Sequence, residues 1–153
     1  MGAPSGLFAA ESTYLDRWVQ IGVASGKVIR LSFHRQTPGG SPDHPLLERL
    51  IAYLDEGHQD DFGTVEIGLT VPTQERAVYE AVREIPFGTS TNLAAIAERI
   101  PTLDDGEESS TAVANALETN PIPVLVPDHR VDHAQSGYDN TVRSLLRERE
   151  GID

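Results

Sequence analysis

The chain has 153 residues, 39% of them hydrophobic, and no cysteine, so it can bury a core as one unit or as two small lobes, while disulfides, thiolate metal sites and thiol catalysis are excluded. Its 24 acidic residues outweigh 12 basic ones for a net charge of -12, and Lys27 is the only lysine, a balance that fits a protein adapted to high salt, where screening weakens self-repulsion. No stretch approaches the roughly 18 apolar residues that span a bilayer, and the segment MGAPSGLFAAES lacks a basic region followed by a long apolar one, so a cytoplasmic protein with no membrane partner is expected.

Taken in chain order, Trp18 to Ser25 and Lys27 to His34 alternate as two strands around a turn at Ser25-Gly26, with Val19, Ile21 and Val23 on one face. A Pro- and Gly-rich loop, Gln36 to Asp43, leads through His44-Pro45 into a helix whose Leu46, Leu47, Leu50, Ile51 and Leu54 form an apolar stripe. After the acidic loop Asp55 to Asp61, Val65 to Val71 alternates as a further strand, and Pro72 marks a lobe boundary that divides the chain into residues 1–71 and 72–153. Thr73 is placed to cap the next helix, in which Ala77, Val78, Ala81, Val82 and Ile85 recur at helical spacing before Pro86 and Gly88 end it. Helices are then expected over Thr91 to Arg99 and Ser109 to Thr119, on either side of an acidic turn, an arrangement suggesting a helix-turn-helix.

Three segments carry a family resemblance: TQERAVYEAVREIPFG (Thr73 to Gly88), NPIPVLVPDHRV (Asn120 to Val131), and Gly137-Tyr138 followed by Leu145-Leu146 with Glu148 or Glu150. Together they resemble the O6-alkylguanine-DNA alkyltransferases, whose cysteine thiolate removes an alkyl group from a damaged guanine and keeps it. The match covers Thr73 to Gly151, about half the chain, with strong motifs; the first 71 residues agree only in coarse plan. The resemblance implies a small RNase-H-like α/β lobe followed by a helical, winged helix-turn-helix-like DNA-binding lobe, and no cofactor.

Where that family has PCHRV, this chain has Pro127-Asp128-His129-Arg130-Val131. By resemblance, the Cys, the following His and a distant Glu form a relay that generates the reactive thiolate. Here His129, Arg130 and a choice of Glu148 or Glu150 are present around an aspartate, so cysteine alkyl transfer is excluded. A carboxylate is a far weaker nucleophile, although any ester it formed could hydrolyse; the plainer reading has Asp128 accepting hydrogen bonds in a retained turn. Asn120 would tie the recognition helix to the loop, and Tyr138 would line the guanine pocket or pack the lobe interface.

The family's DNA-facing Tyr aligns with Leu93 and its Arg finger with Thr111, so both tools for holding a flipped nucleotide are missing. Asp104, Asp105, Glu107 and Glu108 crowd the turn into the second helix, and no Lys or Arg occurs from Thr102 to His129. These acids oppose contact with phosphates, even where they merely complement a helix N-terminus. The pairs Asp128-His129 and Asp132-His133 lie four residues apart and would approach as metal ligands only on a helix; His34 and His58 are expected in surface loops. Two functions from different classes follow: a non-enzymatic sensor of O6-alkylguanine, with alkylated duplex DNA and a repair protein as partners, or a protein-interaction or regulatory module that keeps the fold without binding DNA.

Overall fold

The computed structural model describes residues 5–60, 62–101, 103 and 107–152, without the side chains of Glu107 and Glu108. Thr102, Asp104 and Asp105, and the side chains of Glu107 and Glu108, on which the expected acidic turn rests, therefore lie outside the described residues. The chain divides into two compact units between Gly68 and Leu69.

The first unit is an antiparallel meander of β1 (Gly6–Ser12), β2 (Arg17–Ala24) and β3 (Lys27–His34), followed by helix α1 (Pro45–Glu56). The expected hairpin is present, its turn made by Ser25 at φ 52° and Gly26 at φ 77°, the left-handed pair that matches the twist of the flanking strands. Its buried face carries Val19, Ile21, Val23, Val28 and Leu31. Strand β1 escapes a pattern reading because it is an edge strand: its Leu7 is exposed while the small Ala9 is buried, so polarity does not alternate. Helix α1 lies against β1. His44 caps it through Nδ1, which accepts from the Leu46 N–H at 3.0 Å, and Asp55 near its other end accepts from the Ser12 hydroxyl and the Thr13 and Tyr14 amides.

The expected strand from Val65 to Val71 reduces to one bridge, Val28↔Ile67, bounded by hydrogen bonds from Val28 N–H to Glu66 O and from Gly68 N–H to Val28 O. Gly68 offers no side chain to pack, and a Cβ there would press on Lys27 at 3.1 Å, so the pairing stops where the next alternating residue should extend it.

The second unit contains α2 (Thr73–Arg83), β4 (Thr91–Asn92), α3 (Leu93–Glu98), α4 (Glu107–Glu118), a 3-10 turn (Asp128–Arg130), β5 (Val131–Asp132) and α5 (Asn140–Glu150). Thr73 does not cap α2. Pro72 occupies the cap in an extended conformation with no side-chain bond, because its fixed φ suits the half-in position and leaves Thr73 as the first helical residue. The helix expected to begin at Thr91 begins at Leu93. Thr91 and Asn92 are drawn into a parallel pair with Val131 and Asp132, and Asn92 then caps α3 by accepting from the Ala95 N–H at 2.8 Å. Helices α2, α3 and α4 pack on one another through Val78, Val82, Ile96, Val113 and Leu117, all buried. Among the described residues no helix is long and apolar enough to cross a membrane.

Candidate functional site

The segment from Asn120 to Arg130 is buried apart from the half-buried Pro121, which is unusual for a loop and requires its polar groups to be satisfied internally. Asn120 supplies much of this. Its Oδ1 accepts from the Ile122 N–H at 3.0 Å, and its Nδ2 donates to Val126 O at 2.9 Å and to Asp128 Oδ2 at 3.1 Å. Val124 sits at φ 75°, a left-handed conformation that a β-branched residue adopts only when its surroundings impose it. Pro127 precedes the 3-10 turn, which aims the consecutive side chains of Asp128 and His129 at different partners.

Asp128 points into the protein and is completely buried. Its Oδ1 accepts from the Tyr138 hydroxyl at 2.7 Å and the Ser136 hydroxyl at 3.0 Å, its Oδ2 accepts from Asn120, and the Arg143 guanidinium lies 4.0 Å away. Burial pushes its carboxyl above the ordinary aspartate value, against the pull of the Tyr138 bond, the His129 charge and the Asn120 and Ser136 bonds. The Tyr138 phenol is also pushed up, by burial first and then by the Asp128 charge.

Behind it lies a second buried cluster. His129 Nε2 meets Glu150 Oε2 at 2.7 Å, and Arg130 grips the same carboxylate with Nε at 2.7 Å and Nη2 at 3.0 Å. The Gly88 N–H donates to Glu150 Oε1 at 3.0 Å, and Arg130 Nη1 donates to Ile85 O at 2.7 Å, with the Phe87 ring beside the guanidinium. The Ile85-Pro86-Phe87-Gly88 turn is thus the cradle of the His-Glu pair. Burial would raise the Glu150 pKa, but the bonds from His129 and Arg130, the His129 charge and the Gly88 amide hold it well below the usual carboxylate range.

Glu150 joins the cluster and Glu148 is exposed. Residues two apart on a helix are rotated by about 200°, so only one can face inward. His133 is exposed while His129 is buried, so the two Asp-His pairs diverge. Leu93 is a half-buried first residue of α3, and Thr111 is exposed on α4. Val131 is buried and pairs with Thr91. Gly137 rests on the end of α4, where a Cβ would approach Glu118 O to 2.7 Å. Gly137→Ala should therefore lower stability by about 1–3 kcal/mol, measured by urea unfolding; an unchanged midpoint would show that the segment gives way freely.

Sequence reasoning passed over Ser136, Arg143 and Arg147. Arg143 donates to Asp128 O, Ser136 Oγ and Val131 O; Arg147 donates to His129 O and Asp132 Oδ1. Three guanidinium groups (Arg130, Arg143, Arg147) thus stand among three carboxylates (Asp128, Asp132, Glu150). The spacing of Arg143, Arg147 and Glu150 along one helical face was the available signal.

An α/β unit, a helical unit and a buried His-Glu pair behind a Pro-Asp-His-Arg turn together make up the framework around the buried carboxylate of Asp128. Residues 73–151 match the model of the 6-O-methylguanine DNA methyltransferase DNA binding domain. The methylated-DNA-protein-cysteine methyltransferase of Metallosphaera sedula is 30% identical over 148 residues, covering 91% of each chain. The fold is similar to that of Mycobacterium tuberculosis O6-methylguanine methyltransferase, with a TM-score of 0.76 at 22% identity over 97% of this chain and 93% of that one. The same protein solved in complex with DNA gives a TM-score of 0.70 at 22% identity, covering 94% of both chains. The chain belongs to the O6-methylguanine-DNA methyltransferase family and contains no cysteine, the residue that appears in the names of its relatives.

Proposed function

We propose that this protein is a non-enzymatic reader of O6-alkylguanine in duplex DNA, which binds the lesion without accepting its alkyl group and marks it for a repair protein. The observation that carries this reading is the polar constellation at the acceptor position: Asp128, Asn120, Ser136, Tyr138 and Arg143 converge there on one buried carboxylate. Burying such a group costs several kcal/mol, and apolar side chains of similar volume often give equal or greater stability, so a fold that had abandoned its pocket would gain nothing by keeping these residues. In this reading the first unit is the family's RNase-H-like lobe and the second its winged helix-turn-helix-like DNA lobe. The acidic composition belongs to a protein working at high salt.

The test is fluorescence anisotropy of a labelled duplex containing one O6-methylguanine, against an undamaged control, from low to molar salt. Lesion-selective binding with a shallow salt dependence is expected, since the described exposed residues of α4, including Thr111, Asn115 and Glu118, carry no positive charge and few counterions would be released. Equal affinity for both duplexes would sink the idea. The cation-free face of α4 also favours a second reading, a protein-interaction or regulatory module that binds no DNA at any salt.

A further inference from the structure

We propose that Asp128 is an internal latch: it holds the segment from His133 to Asp139 closed over the acceptor position, so that the site opens only when this carboxylate releases Ser136 and Tyr138. The proposal rests on the lesion-reading function for its purpose but stands on separate geometry. The segment has no regular secondary structure and lies between two fixed points. On one side Val131 and Asp132 are paired with β4; on the other, Asp139 caps α5 by accepting from the Thr141 N–H at 2.8 Å. At its start His133 adopts φ 63°, a left-handed conformation in a non-glycine residue and a natural pivot. Beside this pivot is an open polar cleft of about 420 Å³, lined by Asp132, His133, Ala134, Arg143 and Arg147, which gives the moving backbone somewhere to go.

In the closed position the hydroxyls of the segment converge on one group. Ser136 and Tyr138 both donate to Asp128 Oδ1, and Arg143 bridges Ser136 Oγ and the Asp128 carbonyl. The hydroxyls of Ser136 and Tyr138, which an entering base could use, are thereby engaged by a side chain of the protein itself. Gly137, between them, lies close to the end of α4, where an added Cβ would come within 2.7 Å of Glu118 O. A neutral thiol at position 128 would offer only a weak acceptor; the aspartate supplies an ionisable carboxyl whose hydrogen bonds are among the stronger kind.

The experiment is amide hydrogen exchange of the full chain, without DNA, comparing wild type with Asp128→Ala and with the double variant Ser136→Ala/Tyr138→Phe. The double variant keeps Asp128 and serves if the first fails to fold. Exchange within residues 134–139 should accelerate by at least about tenfold, the factor expected for one lost charge-assisted hydrogen bond, while α2 and α4 keep their protection. Unchanged exchange in that segment, or acceleration spread evenly over the helical unit, overturns the latch. Binding of O6-methylguanosine to the same variants bears only on the lesion reading: confined acceleration without nucleoside binding leaves the latch standing and removes its proposed ligand.

Discussion

Glu150→Gln is expected to lower the stability of the protein by about 3–5 kcal/mol, because it leaves the buried Arg130 guanidinium without its counter-charge. The carboxylate is fully buried and carries the bidentate grip of Arg130 together with His129 and the Gly88 amide, and glutamine can reproduce only part of that geometry. Against the 5–15 kcal/mol that holds a typical domain, a loss of this size brings the helical unit near its unfolding threshold at room temperature. Urea unfolding followed by far-ultraviolet circular dichroism measures it, and a loss below about 1 kcal/mol would mean that the cluster is far better hydrated than its burial indicates.

The same variant separates the pH dependence of the fold. Glu150 has its pKa depressed in the folded state, so its contribution is complete above the unfolded value near 4.5 and is lost as pH falls below it. Asp128 is raised and acts in the opposite sense: its ionised form is disfavoured by folding, so its penalty grows as pH rises above the ordinary aspartate value and disappears in acid. Wild type should therefore lose stability below about pH 4.5 more steeply than Glu150→Gln. Melting curves from pH 3 to 7 compare the two, and parallel acid limbs would remove Glu150 as the source.

Asp128→Cys should gain what the natural chain lacks: a single, irreversible transfer of an alkyl group from free O6-benzylguanine, detected as a benzyl adduct on Cys at position 128 by intact-protein and peptide mass spectrometry. The His129-Glu150 pair is already in contact, and the donors that now serve the carboxylate, Asn120, Ser136 and Tyr138, together with Arg143, would favour a thiolate. Transfer should be at least about tenfold slower when Glu150→Gln is added, since activation of the nucleophile by a positioned base contributes 10²–10⁴-fold in typical general-base catalysis. Transfer from the free base but not from a methylated duplex would locate the remaining defect in engagement of the duplex. A folded variant that stays unmodified by both substrates would show that the site no longer supports alkyl transfer at all.

The framework of the candidate site was legible in the sequence because its parts are contiguous. NPIPVLVPDHRV identifies the loop, the missing cysteine excludes alkyl transfer to sulfur, and the apolar stripes of α1 and α2 emerge from helical periodicity alone. The hairpin of β2 and β3 was equally plain, since Ser25-Gly26 and the alternation around it are local signals.

The misses share a different cause. Strand β1 is an edge strand whose burial depends on the segment around Ser41, with which it exchanges backbone hydrogen bonds; nothing in GLFAAES announces that neighbour. Thr91 and Asn92 extend because they pair with Val131 and Asp132, a partner forty residues away that local periodicity does not announce. The choice of Glu150 over Glu148, the grip of the Ile85–Gly88 turn on it, and the capture of Ser136 and Tyr138 by Asp128 join residues 8 to 62 positions apart. The sequence by itself determined that this member of the family carries a carboxylate, Asp128, in its Pro-Asp-His-Arg-Val segment and no cysteine, because residue chemistry is fixed by identity. Only the tertiary structure decided that the carboxylate is buried and its oxygens engaged, because hydrogen bonding and desolvation are set by which distant groups the packed fold brings into hydrogen-bonding range.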